Sequence, residues 1–246
     1  MGSNVLTRED GKLDVTRMSA IVDQIVWLRK HDYEVVLVPS GAVAAGRAEL
    51  HVDHQLDSVE QRQLFSAIGQ VKLVGLYYNL FREYKIKIGQ VLTMKENFGA
   101  EEQYKNQEAC MQVMLENNVL PIVNENDTVT VDEIKFGDND TLAALVSCLV
   151  SADLCVTLSD IDGLYTANPH EDPTAEFVPV VHKIDAKIIA SAGDSSTSVG
   201  TGGMITKIRA SRILMTAGIQ SVICSGEEPD ALVRLARGES VGTLFD

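Results

Sequence analysis

The sequence predicts an α/β protein built on a mostly parallel sheet with helices on both faces. Three observations lead there. Helix-period segments alternate with short strand-like runs along almost the whole chain, as parallel strands joined by helical crossovers require. The first of those runs, EVVLVPSG, is continuously apolar before its Pro and Gly, like a strand buried on both faces. The unusual clusters SGAVAAGR, NENDTV and SDIDGLY each follow a strand-like run, where open parallel sheets bind their ligands.

The elements follow in order. From Asp14 to Lys30, Met18, Ile21, Val22, Ile25 and Leu28 recur at helical spacing on one face. EVVLVPSG reads as a buried strand ended by Pro39 and Gly41. A long helical pattern spans Val59 to Tyr84, KIGQVLT is a strand, residues 101–117 are helical and VLPIVN is the next strand. A short hairpin is expected in VTVDEIKF. DTLAALVSCLV is a helix with a polar start, and LCVTLSD is a strand. Residues 160–200 are irregular, rich in Ser, Gly, Asp, Thr and Pro, with one short helical pattern near 185–190. GGMITKIRASRILMTAG is a helix ending at Gly218, IQSVICS a strand and PDALVRLARG a helix. No internal repeat and no interdomain linker stands out, so residues 1–246 are expected to form a single domain.

Composition narrows the function. With 45% hydrophobic and 23% charged residues the chain is of ordinary globular type. Its longest apolar runs, such as LAALVSCLV, fall far short of the ~18 to 20 residues of a membrane span, and no secretory leader opens it. The net charge of −14 argues against nucleic-acid binding and requires any anion site to be positive locally. Cys110, Cys148, Cys155 and Cys224 show no CxxC spacing and sit in apolar runs, so buried free thiols in a reducing cytoplasm are expected. His51 and His54 in HVDH lack a third ligand nearby and read as an exposed polar loop; no metal site is expected.

Three clusters carry the chemistry. In VPSGAVAAGR, Gly41 permits a tight turn, Ser40 offers a hydroxyl, and Ala42, Ala44 and Ala45 keep space open beside it. In GTGGMITK, a side-chain-poor loop opens a helix, so amides and the positive helix end meet at one spot, with Lys207 one turn inside. The spacing is not that of the GxxxxGK[ST] phosphate loop. In NENDTVTVDEIKFGDNDTL, six carboxylates and three asparagines crowd around Lys135. One of Asp138, Asn139 and Asp140 serves as a helix N-cap. The rest suit an amino acid, with carboxylates accepting from its ammonium and amides donating to its carboxylate. A glycine-rich anion loop with a lysine, paired with such a cradle, suits phosphoryl transfer, which needs positioning and charge neutralisation more than a covalent nucleophile. HRD, DFG and Walker sequences are absent.

Together VPSGAVAAGR, NENDTVTVDEIKFGDNDTLAAL, LSDIDGLYTANP and GTGGMITKIRA resemble, in order and over almost the whole chain, the amino-acid-kinase family, and within it the members that phosphorylate glutamate. The resemblance implies a three-layer αβα sandwich and ATP-dependent phosphorylation of the γ-carboxylate of glutamate, the first step of proline synthesis. It implies that Ser40, Asp127 and Asn139 bind glutamate. Ser159 and Asp160, with Thr201, Gly202, Gly203, Met204, Ile205, Thr206 and Lys207, would bind ATP. Lys207 would neutralise the transferring phosphoryl group and Asp140 would orient lysines around it. Mg²⁺ would accompany ATP. A cytoplasmic homo-oligomer, dimer or tetramer, subject to feedback by proline, is expected.

The resemblance departs at the start, where the family carries K-x-G-[ST] and this sequence reads Met1-Gly2-Ser3-Asn4. The lysine and the first strand that carries it are expected upstream of residue 1. No C-terminal RNA-binding-type (PUA) domain is expected, and with it no RNA partner. Two other readings stay compatible with the residues: a kinase for N-acetylglutamate, aspartate, carbamate or uridylate, and a ligand-binding remnant without turnover.

Overall fold

The computed structural model describes residues 1–94, 96–129, 138–169, 171–192 and 203–246. The chain falls into two compact units, Ser3–Lys135 and Phe136–Asp246, the second including Met1–Gly2.

In the first unit the elements are α1 (Ser3–Leu6), α2 (Val15–Lys30), α3 (Ala42–Glu49), α4 (Ser58–Glu83), β1 (Lys87–Thr93), α5 (Glu96–Gly99), α6 (Glu101–Glu116) and β2 (Val119–Glu125). Side chains start the long helices. Asp14 accepts from Arg17 N to open α2, and Asp57 accepts from Val59 N and Glu60 N while Glu60 returns a bond to Asp57 N. The predicted stripe of α2 is buried at Met18, Ile21, Val22 and Ile25. β1 and β2 run parallel, from Lys87 opposite Val119 to Thr93 opposite Glu125.

The strand expected in EVVLVPSG shrinks to one parallel bridge, Leu37 to Ile122. Two prolines explain it. Leu37 N donates to Pro121 O and Leu37 O accepts from Val123 N, at 2.9 and 2.8 Å. The next rung one way needs an N–H from Pro39, and the next rung the other way needs one from Pro121; neither residue has it. Where the chain leaves this bridge, Gly41 takes φ 99°, a left-handed turn that suits glycine. The small residues after it serve packing, not open space. Ala42 and Ala45 are buried. A Cβ on Gly46 would stand 1.8 Å from Phe65 O, and one on Gly69 1.7 Å from Ala42 O. α3 and α4 therefore touch backbone to backbone.

The second unit contains α7 (Asn139–Leu149), β3 (Leu154–Ser159), β4 (Leu164–Tyr165), β5 (Phe177–Val178), β6 (Val180–Val181), α8 (Ala186–Ser191), α9 (Met204–Thr216), β7 (Gln220–Ser225), α10 (Ala231–Ala236) and β8 (Thr243–Phe245). Its main sheet has the order β3-β7-β8-β6, parallel except where β8 meets β7. One core cluster joins Ala144 of α7, Cys155 of β3 and Ala210 and Leu214 of α9; another joins Ile208 of α9 to Ile223 and Phe245 of the sheet. The region expected to be irregular thus holds three two-residue strands as well as the short helix. The hairpin expected in VTVDEIKF lies, beyond its first residue, outside the described residues.

All four cysteines are free, and Cys155 and Cys224 are buried as expected. Cys110 is exposed, because α6 turns Met111 and Leu115 inward and Cys110 falls on its outer face. No helix among the described residues is long and apolar enough to cross a membrane.

Candidate active site

The described residues among those predicted to bind an anion around Lys207 lie in the second unit. Gly203 is the N-cap of α9 and supplies no side-chain cap, and α9 has no acidic residue of its own in its first turn. Lys207 lies in the first turn, yet its side chain turns inward and is only 7% exposed. Its Nζ stands 3.2 Å from Asp140 Oδ2. Thr206 Oγ1 is 2.8 Å from the same carboxylate oxygen and 2.8 Å from Gly203 O, so its single proton serves one of the two at a time. The first turn of α7 and the first turn of α9 are thereby locked together through one carboxylate.

Asp138 is the N-cap of α7 and accepts from Thr141 N at 2.6 Å, which frees Asp140 for Lys207. Burial pushes the Asp138 carboxyl above the ordinary aspartate value; the Thr141 amide pulls it down and the neighbouring Asp140 charge adds to the rise. Residues 1–2 reach the same place. Gly2 N donates to Leu158 O at 3.0 Å.

Ser159 and Asp160 stand together at the carboxyl end of β3, with Ser159 Oγ donating to Asp160 Oδ1 at 3.0 Å. Ser159 pairs in register with Ser225 of β7, and Gly226 N donates to Ser159 O at 2.7 Å. The loop after β7, Ser225 to Glu228, therefore adjoins Ser159. Sequence reading passed over it, although the strand-end rule applied to β3 covers β7 equally. Thr201 and Gly202 lie outside the described residues, and Gly203 to Lys207 are placed as above.

The residues expected to hold the amino acid divide between the units: Ser40 and Asp127 belong to the first, Asn139 to the second. In the first unit β2 delivers Asn124 and Glu125 at its carboxyl end, and Asp127 follows in the turn. Asn124 Nδ2 donates to Pro39 O at 3.0 Å, tying β2 to the turn that carries Ser40. Asp127 and Glu125 are buried, their side chains 8% and 5% exposed, and both are gripped by Arg62 of α4. Arg62 Nε donates to Asp127 Oδ1 at 2.5 Å and Nη2 to Glu125 Oε2 at 2.6 Å. Burial raises the Asp127 carboxyl above its ordinary value, and the guanidinium opposes the rise. Beside these carboxylates lies a cavity of about 490 Å³, whose walls include Gln70, Gln90, Leu92, Glu125, Asp127 and Thr128. Nothing in the sequence marked Arg62, since its partners lie more than sixty residues away.

Among the described residues no group of three or more His, Cys, Asp or Glu could hold a metal ion. The carboxylate nearest the anion cluster, Asp140, is engaged with Lys207 and Thr206. That donor set fits a Mg²⁺ carried on the phosphate oxygens of a nucleotide rather than a resident, protein-bound metal.

A buried lysine–aspartate pair at the start of a helix with no side-chain cap, in an α/β chain, is compatible with a phosphoryl-transfer protein, and comparison with known proteins places the chain in that class. The family model described as "Amino acid kinase family" matches residues 1–225. The chain is 50% identical over its whole length to glutamate 5-kinase of Bacteroides thetaiotaomicron, covering 68% of that protein. It is 40% identical to glutamate 5-kinase of Streptococcus suis and 44% identical to that of Carboxydothermus hydrogenoformans, again over all of this chain and over 68% and 66% of those proteins. Among solved structures, an isopentenyl phosphate kinase superposes with TM-score 0.68 at 18% identity, covering 100% of this chain and 98% of that one. UMP kinase from Bacillus anthracis gives 0.64 at 14% identity, covering 99% and 92%. These two share the fold. The chain belongs to the amino acid kinase family, on its glutamate 5-kinase branch, and spans about two thirds of the length of those relatives.

Proposed function

We propose that this protein transfers the γ-phosphoryl group of ATP to the γ-carboxylate of L-glutamate, the first step of proline biosynthesis. Identity of 40–50% to glutamate 5-kinases over the full chain supports the reaction. The observation that carries the chemistry is the buried Lys207–Asp140–Thr206 cluster at the uncapped start of α9. There the amides of Gly203, Met204 and Ile205 at the start of α9 receive phosphate oxygens, helped by Thr201 and Gly202, while Thr206 braces Asp140 through its hydroxyl and Ser159 and Asp160 hold the nucleotide at the end of β3. Lys207, oriented by Asp140, neutralises charge developing on the transferring group.

Glutamate is held by Ser40, Asp127 and Asn139. An oxygen of its γ-carboxylate forms the new bond to the γ-phosphorus. The bond from that phosphorus to the β,γ-bridging oxygen breaks, and its electron pair leaves on ADP. The products are ADP and γ-glutamyl phosphate. The attacking carboxylate is already ionised at neutral pH, so no general base is needed. Mg²⁺ bound to ATP supplies further charge neutralisation. Cytoplasmic location, assembly into a dimer or tetramer and inhibition by proline belong to the same reading.

Trapping the acyl phosphate with hydroxylamine tests it. Hydroxamate and ADP should form with glutamate and ATP, and at most slowly with aspartate; ADP release should be negligible with N-acetylglutamate, carbamate or uridylate. Faster turnover of any of these than of glutamate would overturn the assignment. Lys207→Met should lower kcat by roughly 10²- to 10³-fold, the loss typical of one charged transition-state contact, with little change in the KM for glutamate.

A further inference from the structure

We infer that Arg62 is the positioning residue for the amino-acid substrate: it holds one oxygen of Asp127 and turns the other toward the substrate's ammonium, with Glu125 as its second anchor. The inference rests on Asp127 being a glutamate ligand.

The geometry leads there directly. The Nε and Nη2 edge of a guanidinium usually grips both oxygens of a single carboxylate. In this protein that edge is divided, Nε to Asp127 Oδ1 and Nη2 to Glu125 Oε2, so it spends one donor on each residue. Among the described residues Asp127 Oδ2 has no hydrogen-bond partner, although the side chain is only 8% exposed. Two buried carboxylates against one guanidinium leave a net negative charge, and both carboxylates line the cavity of about 490 Å³. Among the described residues no Lys, Arg or His lines that cavity. It is large enough for an amino acid and lacks the positive charge that an ammonium group would bring.

The charged groups around Asp127 set the direction of its pH response. Arg62 faces it from α4 and Glu125 from β2, while β1 contributes only the uncharged Gln90 and Leu92 to the cavity. Burial favours the neutral carboxyl and Arg62 favours the ionised form that an ammonium needs. Removing Arg62 therefore moves Asp127's titration to higher pH.

The test measures kcat, the KM for glutamate and for MgATP, and the pH profile of kcat/KM for glutamate. The variants are Arg62→Met, Arg62→Lys and Asp127→Asn. Arg62→Met should raise the glutamate KM roughly 10- to 100-fold, the scale of one charge-assisted hydrogen bond. The MgATP KM and kcat should stay within a few-fold, and the acidic limb of kcat/KM should shift to higher pH. Arg62→Lys keeps the charge but loses the divided edge, so it should recover the pH limb and only part of the KM; it carries the test if Arg62→Met does not fold. Equal losses in every parameter with an unmoved pH limb would mark Arg62 as merely structural and overturn the inference. Should Asp127→Asn leave the glutamate KM unchanged, the reading of Asp127 itself fails. If Asp127→Asn raises that KM and neither Arg62 variant does, only the role of Arg62 falls.

Discussion

At the scale of single residues, the Lys207–Asp140 pair sets the stability of the phosphate side of the site. Both side chains are more than nine-tenths buried, and they bond at 3.2 Å. Such a pair stabilises little against an apolar pair of the same shape, but breaking it by removing one partner leaves a buried charge uncompensated. Asp140→Asn should therefore cost about 3–5 kcal/mol, read from the urea midpoint and slope. Adding Lys207→Met to that variant should restore most of the lost stability, since no buried cation remains, yet turnover should stay at the level of the single Lys207→Met variant. If the double variant were as unstable as Asp140→Asn alone, the loss would stem from Asp140's bond to Thr206 instead. Lys207 was legible in the sequence because it follows a glycine-rich helix start at fixed spacing, whereas Asp140 was expected to orient it only through the family resemblance. Arg62 was not, because a lysine or arginine on a helix near its start looks solvated until the distant carboxylates it meets are known.

At the scale of elements, what could be read followed from local chemistry. The stripe from Met18 to Ile25 and the helical pattern from Val59 to Tyr84 are short-range patterns, and those helices stand within a residue or two of their expected ends. The strand at Val35–Val38 failed for an equally local reason that needed the partner's identity: Pro121, across the ladder, removes the rung that Pro39 does not. Two-residue strands such as Phe177–Val178 and Val180–Val181 are too short to show any period. Ala42, Ala44 and Ala45, beside the crossing of α3 and α4, looked like open space because a small side chain reads the same whether a ligand or a backbone lies above it. The two cases separate experimentally within one helix. Gly69→Ala should destabilise by about 1–3 kcal/mol, since its Cβ would meet Ala42 O at 1.7 Å and force the helices apart. Gly75→Ala, on the same helix with nothing within 4 Å of the added carbon, should stabilise by up to about 1 kcal/mol through helix propensity. Denaturant midpoints of the two variants should move in opposite directions. Movement in the same direction would mean that the crossing is not in contact in solution.

At the scale of the whole molecule, the net charge of −14 was readable at once, whereas the division into two compact units was not, since no Pro-, Gly- or Ser-rich linker marks it and residues 1–2 join the second unit through Leu158. The charge has a kinetic consequence for an enzyme whose cosubstrate, MgATP, is itself an anion. Lys207 is buried against Asp140, so from a distance the pair is close to neutral. The positive end of α9 acts only within its first turn. The approaching nucleotide is therefore repelled at long range and attracted at short range. Salt separates the two, because the screening length falls from about 30 Å at ~0.01 M to about 8 Å at ~0.15 M while buried groups are screened much less. Raising ionic strength across that interval, at constant free Mg²⁺, should lower the KM for MgATP by roughly two- to fivefold and leave kcat flat. Most phosphate-binding surfaces respond in the opposite sense, losing affinity as salt rises. A rise in the KM of this protein would mean that the field at the mouth of its site is positive beyond the first turn of α9, and that cations other than Lys207 reach the phosphates.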